Sequence, residues 1–142
     1  VDEWSGDHGC GVKYFSQDGV IKLAPAAGIA LDENLSPAEK LKVVQAELDR
    51  GNPMAAKIYE TIGVNFGYAI AWYALFYHIE HVLIIGRVTS GEGGALLLGK
   101  AQEVLDREFP ELARQISLNI PDEKARRVGQ SVAAASLPEI KR

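Results

Sequence analysis

The sequence predicts an α/β fold with a largely parallel sheet and a long buried central helix. Two observations carry that expectation. Residues 61–77 (TIGVNFGYAIAWYALFY) are almost wholly uncharged and apolar on every side of a helix. Two short strand-like runs, VLII at 82–85 and ISLNI at 116–120, are separated by a helical stretch. A strand, helix, strand order signals parallel pairing, because parallel neighbours need a crossover long enough to return to the same end of the sheet. The 142 residues, 47% hydrophobic and 24% charged, suffice for one domain with its own core and are too few for two ordinary ones. Residues 1–142 therefore read as a single domain.

The elements follow in order. Residues 1–11 are polar and glycine-rich, and 12–16 form a short apolar and aromatic run that suits either a strand or a helix entry. Val20, Ile21, Leu23, Ala24 and Ala27 fit a short helix, with Pro25 as its break. Ser36, Pro37 and Glu39 form an S-x-x-E capping box with proline at the first helical position, so the backbone donors there find acceptors. Leu41, Val44 and Leu48 then give one apolar stripe on a helix ending at Gly51.

Asn52 and Pro53 open a second helix expected to run to about Tyr77. Ile58, Ile62, Phe66, Ile70, Tyr73 and Tyr77 lie on one side and Val64, Tyr68, Ala71 and Leu75 elsewhere, the mark of a helix covered on several sides. It is too short to span a membrane, which takes roughly 20 apolar residues. It also includes Asn65 and is bounded by Glu60 and by His78, Glu80 and His81. The run 82–85 ends at Gly86 and reads as a strand buried on both faces. A helix from about Gly94 to Glu108 follows, with Leu97, Ala101, Val104 and Leu105 inward and Phe109 and Pro110 closing it. The alternating run 116–120 is a second strand, and the alanine-rich stretch 129–137 is a final close-packing helix.

Lys and Arg number 15 against 19 Asp and Glu, a formal net charge of −4, so no overall positive field holds nucleic acid or an anionic membrane. The lone Cys10 forms no internal disulfide and builds no cysteine-rich zinc site, which points to a reducing, cytoplasmic setting. The start VDEWSGDHG has neither the basic nor the apolar region of a signal peptide. Since it opens without Met, a processed product or an excised piece is expected.

Four groups could carry chemistry. His78, Glu80 and His81 include two imidazoles on one helix face, but the spacing is not HExxH and no third ligand stands nearby; a helix-to-strand junction is the plainer role. His8 and Cys10 are both zinc-ligand types, yet two ligands make no site, and a loop role is the simpler one. At 86–94 a glycine ends a strand and a glycine-rich loop leads into a helix, so exposed amides could meet a phosphate or an adenosine. It matches neither GxGxxG nor GxxxxGK[ST], and a plain strand-to-helix turn is the alternative; Arg87 could pair with phosphate or with a neighbouring carboxylate. Lys124, Arg126 and Arg127, nearly cancelled by Asp122 and Glu123, read as a solvated face.

Gly51-Asn52-Pro53 with Ala55, the run Ile62-Gly63-Val64-Asn65-Phe66-Gly67-Tyr68-Ala69-Ile70, Val82-Leu83-Ile84-Ile85-Gly86, and the small-residue stretch 129–135 stand in an order that resembles the C-terminal part of ROK proteins, the repressors and sugar kinases. There a GDPxA turn opens a long helix containing LGxxIA, a strand leads to an IGG loop, and a small-residue helix closes the chain. The likeness covers nearly all of this chain and about half of a family member. It implies half of a ribonuclease-H-like, actin-like ATPase fold. It also implies ATP-dependent phosphorylation of a hexose hydroxyl, with Mg, or sugar sensing joined to a DNA-binding domain.

The family's DxGGT phosphate loop and catalytic aspartate have no counterpart here and belong to an N-terminal half, so this chain by itself holds no catalytic residue. The resemblance places the nucleotide at Gly86, Arg87, Val88, Thr89, Ser90, Gly129 and Gln130, with Arg87 in place of the family's second glycine. It places sugar near His8, which stands where the family has a zinc-proximal histidine, and near Tyr14, where the family has a glutamate. With a single thiol against the family's CxCGxxGC, no zinc is expected. The implied partners are an N-terminal domain of the same protein, a sugar and a second copy in a homodimer, with no direct nucleic acid and no membrane. The alternative is a non-catalytic sugar-sensing regulator or a dimerisation module, its apolar central helix forming the interface. A small metal enzyme using His78 and His81 is the third possibility.

Overall fold

Two locally capped helices fix the centre of the molecule. The computed structural model describes residues 1–122. Before the first of these helices the chain forms α1 (Val12–Phe15), α2 (Gln17–Leu23) and a 3-10 turn at Pro25–Ala27. Helix α3 (Pro37–Asp49) starts at the expected capping box: Ser36 Oγ accepts from Glu39 N at 3.4 Å, and Glu39 Oε2 accepts from Ser36 N at 2.9 Å. It buries Leu41, Val44 and Leu48. Gly51, at φ +81, makes the left-handed turn that a side chain rarely adopts. Asn52 Oδ1 then accepts from Met54 N at 3.0 Å and opens α4 (Pro53–Ala74).

Helix α4 packs most extensively on α5 (Glu92–Glu108). Gly63 and Gly67 make that approach possible. A Cβ at Gly63 would lie 2.5 Å from the Leu97 carbonyl oxygen, and one at Gly67 would lie 2.7 Å from Val104 Cβ. Tyr59, Leu41, Ile62, Ile70, Leu97, Leu105, Val20 and Val44 are the large fully buried side chains. They divide into a main cluster among α2, α3, α4 and the start of α5, which Ile84 and Val88 join, and a smaller one of Ile70, Leu105 and Ile116.

Strand β1 (His81–Leu83) pairs in parallel with β2 (Ser117–Asn119), with Val82 opposite Leu118. Between them α5 and a short α6 (Pro110–Gln115) form the crossover. Ser117 N donates to Glu80 O and Ile84 N donates to Asn119 O, at 2.9 and 2.8 Å, extending the ladder at each end.

The parallel pairing is as expected, but the fold class is not. The described residues are 61% helix and 5% strand, and their sheet has two strands. This overturns an α/β, actin-like half built on a large parallel sheet. Nor is β1 buried on both faces: Ile84 is buried, whereas Leu83 and Ile85 are 64% and 53% exposed. A short continuous apolar run does not distinguish one covered face from two, because periodicity is silent where every residue is apolar. Helix α4 ends at Ala74 instead of Tyr77, and at its end Ile70 and Ala71 are buried while Trp72 and Tyr73 are exposed, so it is covered on one side instead of several. The run after Gly11 is helical, and Pro110, expected only to stop α5, also starts α6. The expected helix at 129–137 lies outside the described residues.

Candidate functional site

Helix α1 separates two grooves. One lies between the start of α2 and the loop leaving β1, about 590 Å³ in volume and lined by Ser16, Gln17, Asp18, Ile85, Gly86, Arg87 and Val88, with Gly11, Val12 and Phe15 behind. The loop is held from inside. Val88 is buried, Thr89 Oγ1 donates to Gly86 O at 2.8 Å, and Gln45 Nε2 donates to Arg87 O at 3.2 Å. Gly86 has φ +123, and a Cβ there would meet nothing within 4 Å. Its backbone therefore faces open space in a conformation that glycine alone adopts freely.

The charges of this cleft are partly committed. Lys13 Nζ bonds Glu3 and lies 2.9 Å from Asp18 Oδ2, and these two carboxylates hold its ammonium well above the usual lysine range. Ser16 Oγ accepts from Asp18 N at 3.1 Å and caps α2. Arg87, exposed at the mouth, is the cation among the lining residues.

The first turn of α5 is packed on one side by protein. Gly93 and Gly94 are buried, and a Cβ on either would fall 2.3 Å from Tyr59 Cε1 or from the Thr89 carbonyl oxygen respectively. These glycines serve close packing against Tyr59 and the preceding loop, while Gly91 and Glu92 ahead of them are exposed. Tyr59 Oη is buried with no hydrogen-bond partner among the described residues. Burial, with a smaller contribution from the negative charge of Asp49, pushes its phenol up to about 12.

The groove on the other side of α1 is aromatic, about 800 Å³, and lined by Tyr14, Phe15, Tyr68, Trp72, Tyr73, Leu75, Phe109 and Leu112 among others. Tyr68 Oη donates to Glu108 Oε1 at 2.6 Å, which raises the phenol's pKa, and its ring meets Phe109 edge-on at 6.0 Å. Trp72 and Phe76 pack at 5.5 Å beside it. The sequence held a signal for this groove in the aromatic residues at 68, 72, 73, 76 and 77, but an apolar helix reads the same whether a core or a partner covers it.

The expected site residues separate accordingly. Gly86, Arg87 and Val88 line the polar cleft, Thr89 is buried beneath the loop, and Ser90 is exposed beyond it. Tyr14 lies in the aromatic groove, with Lys22 Nζ 5.8 Å from its ring, and exposed His8 lines neither groove. Gly129 and Gln130 lie outside the described residues. His78 Nε2 is 3.2 Å from Glu80 Oε1, and His81 Nδ1 is 2.6 Å from Ser117 Oγ. Cys10 Sγ lies 3.6 Å from Ser5 Oγ. Among the described residues no group of three or more His, Cys, Asp or Glu is placed to hold a metal ion, and no helix is long and apolar enough to cross a membrane. Comparison with protein-family models, curated proteins and solved structures finds no match.

Proposed function

We propose that this chain forms one wall of a nucleotide- and sugar-handling cleft in a ROK-like protein, completed by a second lobe. The reading rests on the polar cleft beside Gly86. There an unobstructed glycine backbone and an exposed arginine sit on a loop braced from within, and the resemblance to ROK proteins assigns the nucleotide to the same residues. A guanidinium presents paired donors that match phosphate oxygens, and the space over Gly86 allows backbone to approach a ligand closely. Bound here, ATP with Mg would supply the transferred phosphoryl group.

The chain's own contribution is positional. Gln45 holds the Arg87 carbonyl, so the guanidinium is presented from a fixed loop, and Asp18 is committed to Lys13. The group that deprotonates a sugar hydroxyl and the loop that holds the transferred phosphate belong to the second lobe, in keeping with the division of labour in phosphoryl transfer. Leu83 and Ile85, exposed beside this loop, supply an apolar surface for that lobe to cover.

Titration calorimetry of Mg·ATP and common hexoses, on this chain and on the complete product of its gene, tests the proposal. Hexose is expected to bind the complete product and not the chain by itself. Arg87→Ala is expected to weaken Mg·ATP binding about tenfold, equivalent to about 1.4 kcal/mol. Tight hexose binding by the chain alone, or none by the complete product, overturns it.

A further inference from the structure

We propose that His81 and Ser117 form a nucleophilic dyad that hydrolyses short-chain carboxylic esters. The pair lies outside both grooves and is independent of the reading given to the polar cleft. His81 and Ser117 are the first residues of β1 and β2 and stand opposite each other in the parallel register. Side chains alternate between the two faces of a strand. Val82 and Leu118 turn inward onto the smaller cluster, so His81, Ser117 and Asn119 share the outer face, where all three are exposed.

The hydrogen bonds decide which atom holds the proton. Ser117 Oγ lies 2.6 Å from His81 Nδ1 and 3.4 Å from the Glu80 carbonyl oxygen, and it accepts from Asn119 Nδ2 at 3.3 Å. A hydroxyl has one proton to donate, and it goes to the nearer acceptor. His81 Nδ1 is then the bare nitrogen and Nε2 carries the ring's proton, the tautomer a general base needs. A serine bonded in this way to an imidazole is an activated nucleophile. The backbone supplies a further group. Ser117 N donates to Glu80 O and Ile84 N donates to Asn119 O, so β2 bonds β1 through residues 117 and 119. The N–H of Leu118 points to the other, open edge and has no partner among the described residues. In serine hydrolases the amide following the nucleophile is one of the donors that receive the developing oxyanion.

His81 Nδ1 takes the Ser117 proton as Oγ bonds the acyl carbon. The ester's C–O bond breaks, and the departing alcohol takes that proton from His81. Water then attacks the acyl-serine, His81 takes the water's proton and returns it to Oγ, and the carboxylic acid leaves. The pair stands on an exposed face, outside the grooves that could bury a long acyl chain, which selects short ones.

The probe is p-nitrophenyl acetate, followed by nitrophenolate release and by mass-spectrometric mapping of the acetylated protein. Acetyl is expected on Ser117, with turnover. Ser117→Ala should remove this adduct. His81→Gln should slow acetylation of Ser117 at least about a hundredfold, the lower end of general-base catalysis. Both substitutions are at the surface and should keep cooperative melting. His78→Gln, whose imidazole meets Glu80 instead of Ser117, should leave the rate unchanged, which separates the dyad from catalysis by any surface imidazole.

Absence of acetyl from Ser117 in the parent protein overturns the proposal without recourse to a variant. So does acetylation confined to lysines or the amino terminus, or an acetyl-Ser117 that never turns over. Ser117 acetylated as fast in His81→Gln as in the parent, or slowed equally in His78→Gln, overturns it as well.

Discussion

Replacing Gly63 with alanine tests the seam on which the fold depends. The added Cβ would stand 2.5 Å from the Leu97 carbonyl oxygen and 2.8 Å from Lys100 Cβ, so α5 must retreat by about 0.9 Å to restore an ordinary 3.4 Å contact. Because the first obstacle is backbone, no rotamer change relieves it, and the cost falls toward the upper part of the ~1–3 kcal/mol typical of overpacking. Alanine recovers about 1 kcal/mol of helix propensity, leaving a net loss of about 2 kcal/mol. For a chain of this size that lowers Tm by roughly 4–8 °C.

Gly99 is the control, in the same helix pair but exposed, with nothing within 4 Å of its Cβ position. The same substitution there should stabilise by about 0.5–1 kcal/mol. Urea titration followed by circular dichroism measures both, with the slope m unchanged if the folded and unfolded states keep their areas. A Gly63→Ala protein as stable as the parent, or two substitutions shifting stability in the same direction, would refute the close-packed seam.

Ser36→Ala removes the cap of α3 and should cost about 1 kcal/mol in the same titration. The Ser36 hydroxyl and backbone N–H hold the Glu39 carboxyl below its ordinary 4.5, so its contribution is present above that pH and is lost as pH falls through the lowered value. The gap between parent and variant should therefore narrow in acid. Tyr59→Phe removes a buried hydroxyl without a partner among the described residues and should raise stability by about 1 kcal/mol at neutral pH. The parent's phenol is pushed up from 10.0 to about 12, so its contribution is whole below pH 10 and is lost as pH rises toward 12. The parent should thus lose stability relative to the variant across that interval, and a constant difference there would contradict the burial of the hydroxyl.

How much of this was legible in the sequence depends on the range of each interaction. The starts of α3 and α4 were legible because Ser36, Glu39 and Asn52 satisfy donors within three residues, a purely local matter. The parallel partnership of the two strands followed from the helical length between them. The extent of the sheet did not, because VLII satisfies one covered face as well as two. The glycines at 93 and 94 read as a phosphate loop, yet they admit Tyr59 and the Thr89 carbonyl. Glycine permits close approach of any atom, and the sequence does not say whether that atom belongs to ligand or protein. Gly86 and Arg87 do lie together on a cleft, whereas Tyr14 faces the opposite side of α1. A four-residue helix turns neighbouring side chains through about 100° per residue, which is enough to separate them between two grooves.

The exposure of the aromatic face follows from where α5 stops. Gly63 meets Leu97 and Lys100, and Gly67 meets Ala101 and Val104, so α4 and α5 run in the same direction with their glycine seam in the middle. At Glu108, which takes the Tyr68 hydroxyl bond, α5 ends, and Pro110 turns the chain into α6. Beyond Tyr68 one face of α4 still packs inward, Ile70 against Leu105 and Ile116, while Trp72 and Tyr73 on the other face are left exposed. One helix thus divides by face at its end: the inward side closes the smaller cluster, and the outward side presents aromatic surface. Stability should then separate along it. Gly63→Ala lowers the melting temperature because its Cβ meets backbone, whereas Trp72→Lys, at an exposed position, leaves the stability of the folded chain within about 0.5 kcal/mol of the parent. If Trp72→Lys destabilised the chain as strongly as Gly63→Ala does, the division of α4 into a buried seam and an exposed end would fail.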